Sequence, residues 1–195
     1  MNTRPRRIGV FGGTFDPPHV GHASVARDVA DALALDEVVW IPAGRSPHKP
    51  DVELTDGALR MAMVRCVAND DARFSIDELE LLRSGLSYSV DTLEALATEY
   101  DGAALYLILG EDQYRVFDRW KEPERIRELA TVVVMDRDGQ GGATSPDQAV
   151  AVGRVDVSAS EVRAAVKTGR SIGALVHPCV LALIREHDLY VNADR

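Results

Sequence analysis

Basic residues are in short supply: 22 Lys and Arg stand against 31 Asp and Glu, a formal net charge of -9. Coating a nucleic-acid backbone takes clustered cations, which speaks against nucleic acid as a partner. An anionic ligand would have to meet positive charge gathered locally. Long apolar runs are missing as well. Arg4-Pro5-Arg6-Arg7 is followed by no stretch long enough for a signal peptide or a membrane span, so a cytoplasmic protein with no membrane partner is expected. Two cysteines, Cys66 and Cys179, make neither a disulfide framework nor a metal motif, and buried free thiols are the expectation. There is no internal repeat and no interdomain linker. At 195 residues and 46% hydrophobic, residues 1–195 suit one compact domain with a sizeable core.

Against these shortages stands one dense stretch, Gly12-Gly13-Thr14-Phe15-Asp16-Pro17-Pro18-His19-Val20-Gly21-His22. Arg7 to Phe11 before it read as a short buried strand. Val20, Ala23, Ala26, Val29, Ala30 and Leu33 after it recur at helical spacing. The stretch is therefore a strand-to-helix turn. Paired glycines let backbone N–H groups approach an anion, and a helix start offers unpaired donors and partial positive charge. His19 and His22, three apart, point to one side of the first turn, towards the same anion. No Cys or Glu cluster nearby completes a metal site around them.

The rest of the chain alternates in the same manner. Asp36 to Pro42 is a second strand, followed by the Gly- and Pro-rich loop Ala43 to Pro50. Thr55-Asp56 caps a helix through Val67, and Arg73 to Ile76 and Leu79 to Leu82 read as short extended pieces. Ala104 to Gly110 and Thr131 to Met135 are further buried strands, the first running into Glu111-Asp112. Residues 139–148 form a polar surface loop expected to be mobile. Ser158 with Glu161 three residues on is a capping box, opening a C-terminal helical part over 158–190. The fold expected is α/β: a Rossmann-like, doubly wound, mostly parallel sheet with helices on both faces.

The turn resembles the signature of the HxGH-motif nucleotidyltransferases and, in this fuller form, that of the bacterial nicotinate-nucleotide adenylyltransferase family. The resemblance continues over most of the chain. It implies AMP transfer from ATP to nicotinate mononucleotide, giving deamido-NAD and pyrophosphate. Gly12, Gly13, Thr14, Phe15, His19 and His22 would meet ATP, with His19, His22 and Arg163 as catalytic residues. Ser158, Ser160 and Arg163 match the family's Ile-Ser-x-Thr-x-Ile-Arg segment and would receive the β- and γ-phosphates. Gly110 and Asp112 match its Gly-Ala-Asp, and Arg137 its Arg-Pro-Gly. On the mononucleotide side the resemblance implies Thr14, His48 and Lys49, Ser89 and Thr92 at a helix start, Asp112, Trp120 stacked on the pyridine ring, and the backbone N–H of Lys121. Ser46, Glu111, Lys121 and Asp138 depart from the family pattern.

The chemistry fits what is absent. An attacking phosphate monoester, with a second pKa near ~6, is largely dianionic at neutral pH and needs no general base. No Ser-His-Asp set or paired carboxylates are therefore required. The protein has to position two polyanions and stabilise charge on the equatorial and leaving oxygens. Mg2+ would travel with ATP, because no carboxylate cage is visible. Nicotinamide mononucleotide, phosphopantetheine and a non-catalytic nucleotide sensor stay open as alternatives. A class I aminoacyl-tRNA synthetase is disfavoured, since the anticodon-binding extension and the Lys-Met-Ser-Lys-Ser type of loop are missing. The sequence leaves a homo-oligomer open.

Overall fold

The computed structural model describes residues 4–45, 54–136, 147–153 and 155–191. Six strands form one parallel sheet: β1 (Arg7–Gly13), β2 (Glu37–Pro42), β3 (Phe74–Ile76), β4 (Ala104–Gly110), β5 (Ala130–Asp136) and β6 (Gln148–Ala151), in the order β3-β2-β1-β4-β5-β6. Helices cross between them: α1 (Val20–Ala32), α2 (Gly57–Ala68), α3 (Leu79–Leu82), α4 (Ser89–Glu99), α5 (Glu111–Tyr114), α6 (Pro123–Leu129), α7 (Ala159–Lys167) and α8 (Pro178–Glu186). A 3-10 turn covers Phe117–Arg119.

Strand periodicity sorts the side chains into two cores. Phe11, Val38, Trp40, Tyr106, Ile108, Val133 and Met135 face α1, α2, α7 and α8. Their neighbours Ile8, Val10, Val39, Ile41, Leu105, Leu107, Leu109, Val132 and Val134 face α4 and α6. Burial on both faces is why these strands read as near-continuous apolar runs.

The order reverses beside β1, and the register shows where a crevice opens. β1 pairs with β4 from Arg7↔Ala104 to Val10↔Leu107, while its pairing with β2 continues to Gly13↔Pro42. Beyond those residues β1 stays with β2 and β4 with β5. The two central strands part at their C-terminal ends, the place where open α/β sheets hold ligands.

Three expectations need correction. Leu79–Leu82 is a helical turn, not an extended piece. It lies tight against the segment just after β2, where a Cβ on Gly44 would collide with the Glu80 carbonyl oxygen. Gln148, assigned to a loop, opens the edge strand β6. Cys66 on α2 and Cys179 on α8 are disulfide-bonded rather than free, because the packing of those helices brings their Cα atoms to 5.7 Å. Among the described residues, no helix is long and apolar enough to cross a membrane.

Candidate active site

The turn after β1 is held by more anchors than its sequence suggests. Phe15 adopts a left-handed backbone, φ 47, unusual for a side chain with a Cβ. Its ring compensates by burial at 1% exposure, edge-on to Phe11 and against Trp40. Phe15 can therefore meet a ligand only through its backbone. Gly13 is required here, because a Cβ would lie 2.9 Å from that ring.

His19 and His22 lie together as expected, their rings stacked with centroids 3.6 Å apart. The His19 N–H donates to His22 Nδ1 at 3.1 Å. An accepting Nδ1 leaves the proton of a neutral His22 on Nε2, as a donor. Gly21 makes room for the pair, since a Cβ there would come within 3.1 Å of the His19 ring. One expectation changes: the Val20 N–H is taken by the Leu175 carbonyl at 3.0 Å, so the start of α1 offers fewer open donors than the motif implies.

Arg163, one turn into α7, reaches this turn from the far end of the chain. Its Nη1 donates to the Asp16 carbonyl at 2.7 Å, and its Nη2 to Ser160 Oγ at 3.3 Å. Ser158 is engaged as a cap. It accepts from the Glu161 N–H at 3.2 Å, and its N–H and hydroxyl donate to Glu161 Oε2 at 2.7 and 2.9 Å.

Where β1 and β4 part there is a cavity of about 450 Å³, within the ~300–1,000 Å³ range of small-molecule sites. Gly12, Gly13 and Thr14 line one side, Leu107 to Leu109 another, and Ser89, Trp120 and Lys121 a third. Trp120 is half-buried against Phe117, centroids 5.4 Å apart. Lys121 Nζ donates to Asp91 at 2.8 Å and sits over the Tyr88 ring.

Two expected residues are placed differently. Asp112 points away from the cavity, its side chain 93% exposed beside Arg115, because the first turn of α5 carries it outward while Gln113 faces in. Thr92 is buried behind the wall, its hydroxyl donating to Glu80 Oε1 at 2.8 Å. Gly110 ends β4 as the cap of α5. His48, Lys49 and Arg137 lie outside the described residues.

Sequence reasoning missed several wall residues: Glu80, Gln113 and Arg119. An acid within a leucine-rich stretch was the available signal for Glu80. Burial raises its pKa above the usual glutamate value, against the Thr92 hydroxyl, the Gly44 N–H, Arg83 and Ser87. Arg60 on α2 anchors the walls from behind. It is 4% exposed and donates from Nε to the Thr55 carbonyl at 2.9 Å, and from Nη1 to those of Thr14 and Ala43 at 2.9 and 2.7 Å. Burial pulls its pKa down, and the nearby Asp16 carboxylate opposes this. Among the described residues no group of three metal-ligating side chains converges.

A parallel sheet that splays at its switch point, with an HxGH turn on one lip, defines a nucleotidyltransferase scaffold. Residues 10–165 match the family described as cytidylyltransferase-like. The protein of Shouchella clausii carrying the name "Probable nicotinate-nucleotide adenylyltransferase" is 36% identical, over 95% of this chain and 97% of its own length. A Thermus thermophilus protein of the same name is 39% identical, over 94% and 99%. The chain belongs to this nicotinate-nucleotide adenylyltransferase family within the cytidylyltransferase-like proteins. Its fold is also that of the Plasmodium falciparum nicotinic acid mononucleotide adenylyltransferase solved with NaAD. The TM-score is 0.78 at 20% identity, over 95% of this chain and 97% of that one.

Proposed function

We propose that this chain moves AMP from ATP to nicotinate mononucleotide, releasing pyrophosphate and forming deamido-NAD. The observation that carries the reading is the shared turn, residues 12–16. It forms one wall of a cavity with Trp120 opposite, and it is bonded on its other side to Arg163. A mononucleotide phosphate in the cavity and a triphosphate along the His22 and α7 side would meet across it. Two anchored reactants convert a bimolecular encounter into an intramolecular one.

In this reading His22 Nε2 donates to an oxygen of the α-phosphate as charge grows there, with His19 stacked beside it. Arg163, Ser160 and the Gly12-Gly13 backbone hold the rest of the phosphate chain. Trp120 stacks on the pyridine ring, and the Lys121 N–H meets its carboxylate. The donors gathered here are N–H, imidazole and guanidinium groups, which suit anionic oxygens rather than a bare cation. Mg2+ would arrive on the triphosphate's own oxygens and neutralise part of their charge. With a net charge of -9 and no long apolar helix among the described residues, the reading is of a cytoplasmic enzyme that takes small nucleotides rather than nucleic acid.

The test is pyrophosphate release with MgATP and, separately, nicotinate or nicotinamide mononucleotide. Fast release with the first and slow with the second is expected. Release with neither, while MgATP still binds, would replace this reading with a nucleotide sensor.

A further inference from the structure

The carboxylate of Asp16 is out of place for an anion site. It is 4% exposed, carries the charge of its own ligand, and stands three residues from His19. Nothing in the proposed reaction uses it. Its partners come from two distant parts of the chain. Tyr190, four residues beyond α8, donates its hydroxyl to Asp16 Oδ1, and the Thr55 N–H donates to Oδ2 at 3.1 Å. The Thr55 hydroxyl also reaches Tyr190 Oη at 3.4 Å. The carbonyl of the same Asp16 is the acceptor that holds Arg163 at 2.7 Å.

Tyr190 itself is fixed. Its ring packs on the α2/α8 core, its backbone is left-handed at φ 64, and the helix before it is bonded to α2 by the disulfide. Burial raises its pKa, with Asp16 acting in the same direction, so the hydroxyl stays a donor.

We propose that Tyr190 is a positioning residue of the active site: its hydroxyl holds the buried Asp16 carboxylate on the Thr55 side, and through Asp16 it sets Arg163 and the anion-binding turn. The segment after α8 thus belongs to the phosphate site rather than to the periphery. Without the hydroxyl, Asp16 Oδ1 loses its donor and the carboxylate is held by the Thr55 N–H alone, through Oδ2, so it can turn about that one bond. Its charge then opposes an incoming triphosphate, and the backbone carbonyl under Arg163 loses its fixed direction. The proposal rests on the reading of this turn as an ATP site, not on the identity of the acceptor.

Tyr190→Phe keeps the ring and removes the donor. On the full chain, equilibrium binding of MgATP alone should weaken about tenfold or more, as loss of one hydrogen bond to a charged group implies. The KM for nicotinate mononucleotide should change less than threefold. Asp16→Asn and the double variant give the second readout. If Tyr190 acts through Asp16, the double variant binds MgATP no worse than Asp16→Asn alone. Wild-type MgATP affinity in Tyr190→Phe would overturn the proposal. So would losses that multiply in the double variant, or equal weakening towards both substrates. A wild-type protein that releases no pyrophosphate, yet binds MgATP more tightly than Tyr190→Phe, supports the positioning role while removing the transfer reaction.

Discussion

Replacing Arg60 by Met, which keeps much of the side chain's length and removes its charge, asks how the anion-binding turn is held. Three carbonyls, of Thr14, Ala43 and Thr55, converge on one guanidinium at 2.7 to 2.9 Å. They belong to the turn after β1, the end of β2 and the approach to α2, so one side chain ties together three segments, two of which line the cavity. A hydrogen bond to a charged group is worth about 1.5–3 kcal/mol. Against the three stands the cost of burying the cation, several kcal/mol. Removing one partner of a buried charged contact nets about 3–5 kcal/mol of destabilisation. At about 2–4 °C per kcal/mol for a chain of this size, Tm should fall by roughly 6–20 °C. MgATP affinity should fall further than in a variant of equal Tm altered in the α4/α6 core. Arg60→Lys should recover less than half, because an ammonium cannot reach three diverging carbonyls with a fixed fork. Thermal melts and MgATP titrations decide it. A melting temperature within about 2 °C of wild type, with unchanged affinity, would show that the clamp holds neither fold nor site.

His22→Ala should cut turnover by about 100-fold or more with the fold retained, the loss expected for one preorganised donor; near-normal turnover would remove His22 from the chemistry. Trp120→Ala should raise KM for the mononucleotide well beyond that for ATP, and an equal rise in both would make it a core residue only. Glu80 binds its proton more tightly folded than unfolded, so stability is lost as pH rises from the unfolded glutamate pKa through the raised folded one, and the loss is constant above that. Glu80→Gln should therefore gain Tm relative to wild type between pH 4 and pH 8, and parallel Tm curves would refute this. Reduction of the Cys66–Cys179 bond, which spans 113 residues, should lower stability to urea by about 2–4 kcal/mol, and superimposable curves with and without dithiothreitol would remove its structural role.

What the sequence revealed was local. The switch from strand to helical periodicity around Gly12-Gly13 located β1, the turn and α1, and the apolar runs located β2, β4 and β5. Ser158 and Glu161 form the capping box that their spacing implies. Leu79–Leu82 misled because four residues carry too little period to separate helix from strand. β6 stayed hidden because its four residues lie at a sheet edge with mostly exposed side chains. Asp112 followed a motif position, and only the direction of α5 shows that it faces outward. The Cys66–Cys179 pairing depends on how α2 meets α8, which spacing along the chain does not encode.

The parts that hold the site rigid were the least legible, for one physical reason. An anion turn needs its N–H groups aimed at the ligand, and in a trans peptide the carbonyl points the opposite way. Carbonyls turned away from the ligand into the protein have to be satisfied there. Short strand-to-helix turns lack the local donors for this, so the donor comes from elsewhere: Arg60 for Thr14, whose peptide carries the Phe15 N–H, while the Asp16 carbonyl, joined to Pro17 and so paired with no N–H, takes Arg163. Such partners are chosen by three-dimensional packing, 46 and 147 residues away. The residues that contact the ligand can therefore sit in a compact motif while those that aim them are scattered. The division predicts where loss of function without loss of motif should map: to Arg60, Thr55 and Tyr190, behind the turn, before any change within Gly12 to His22.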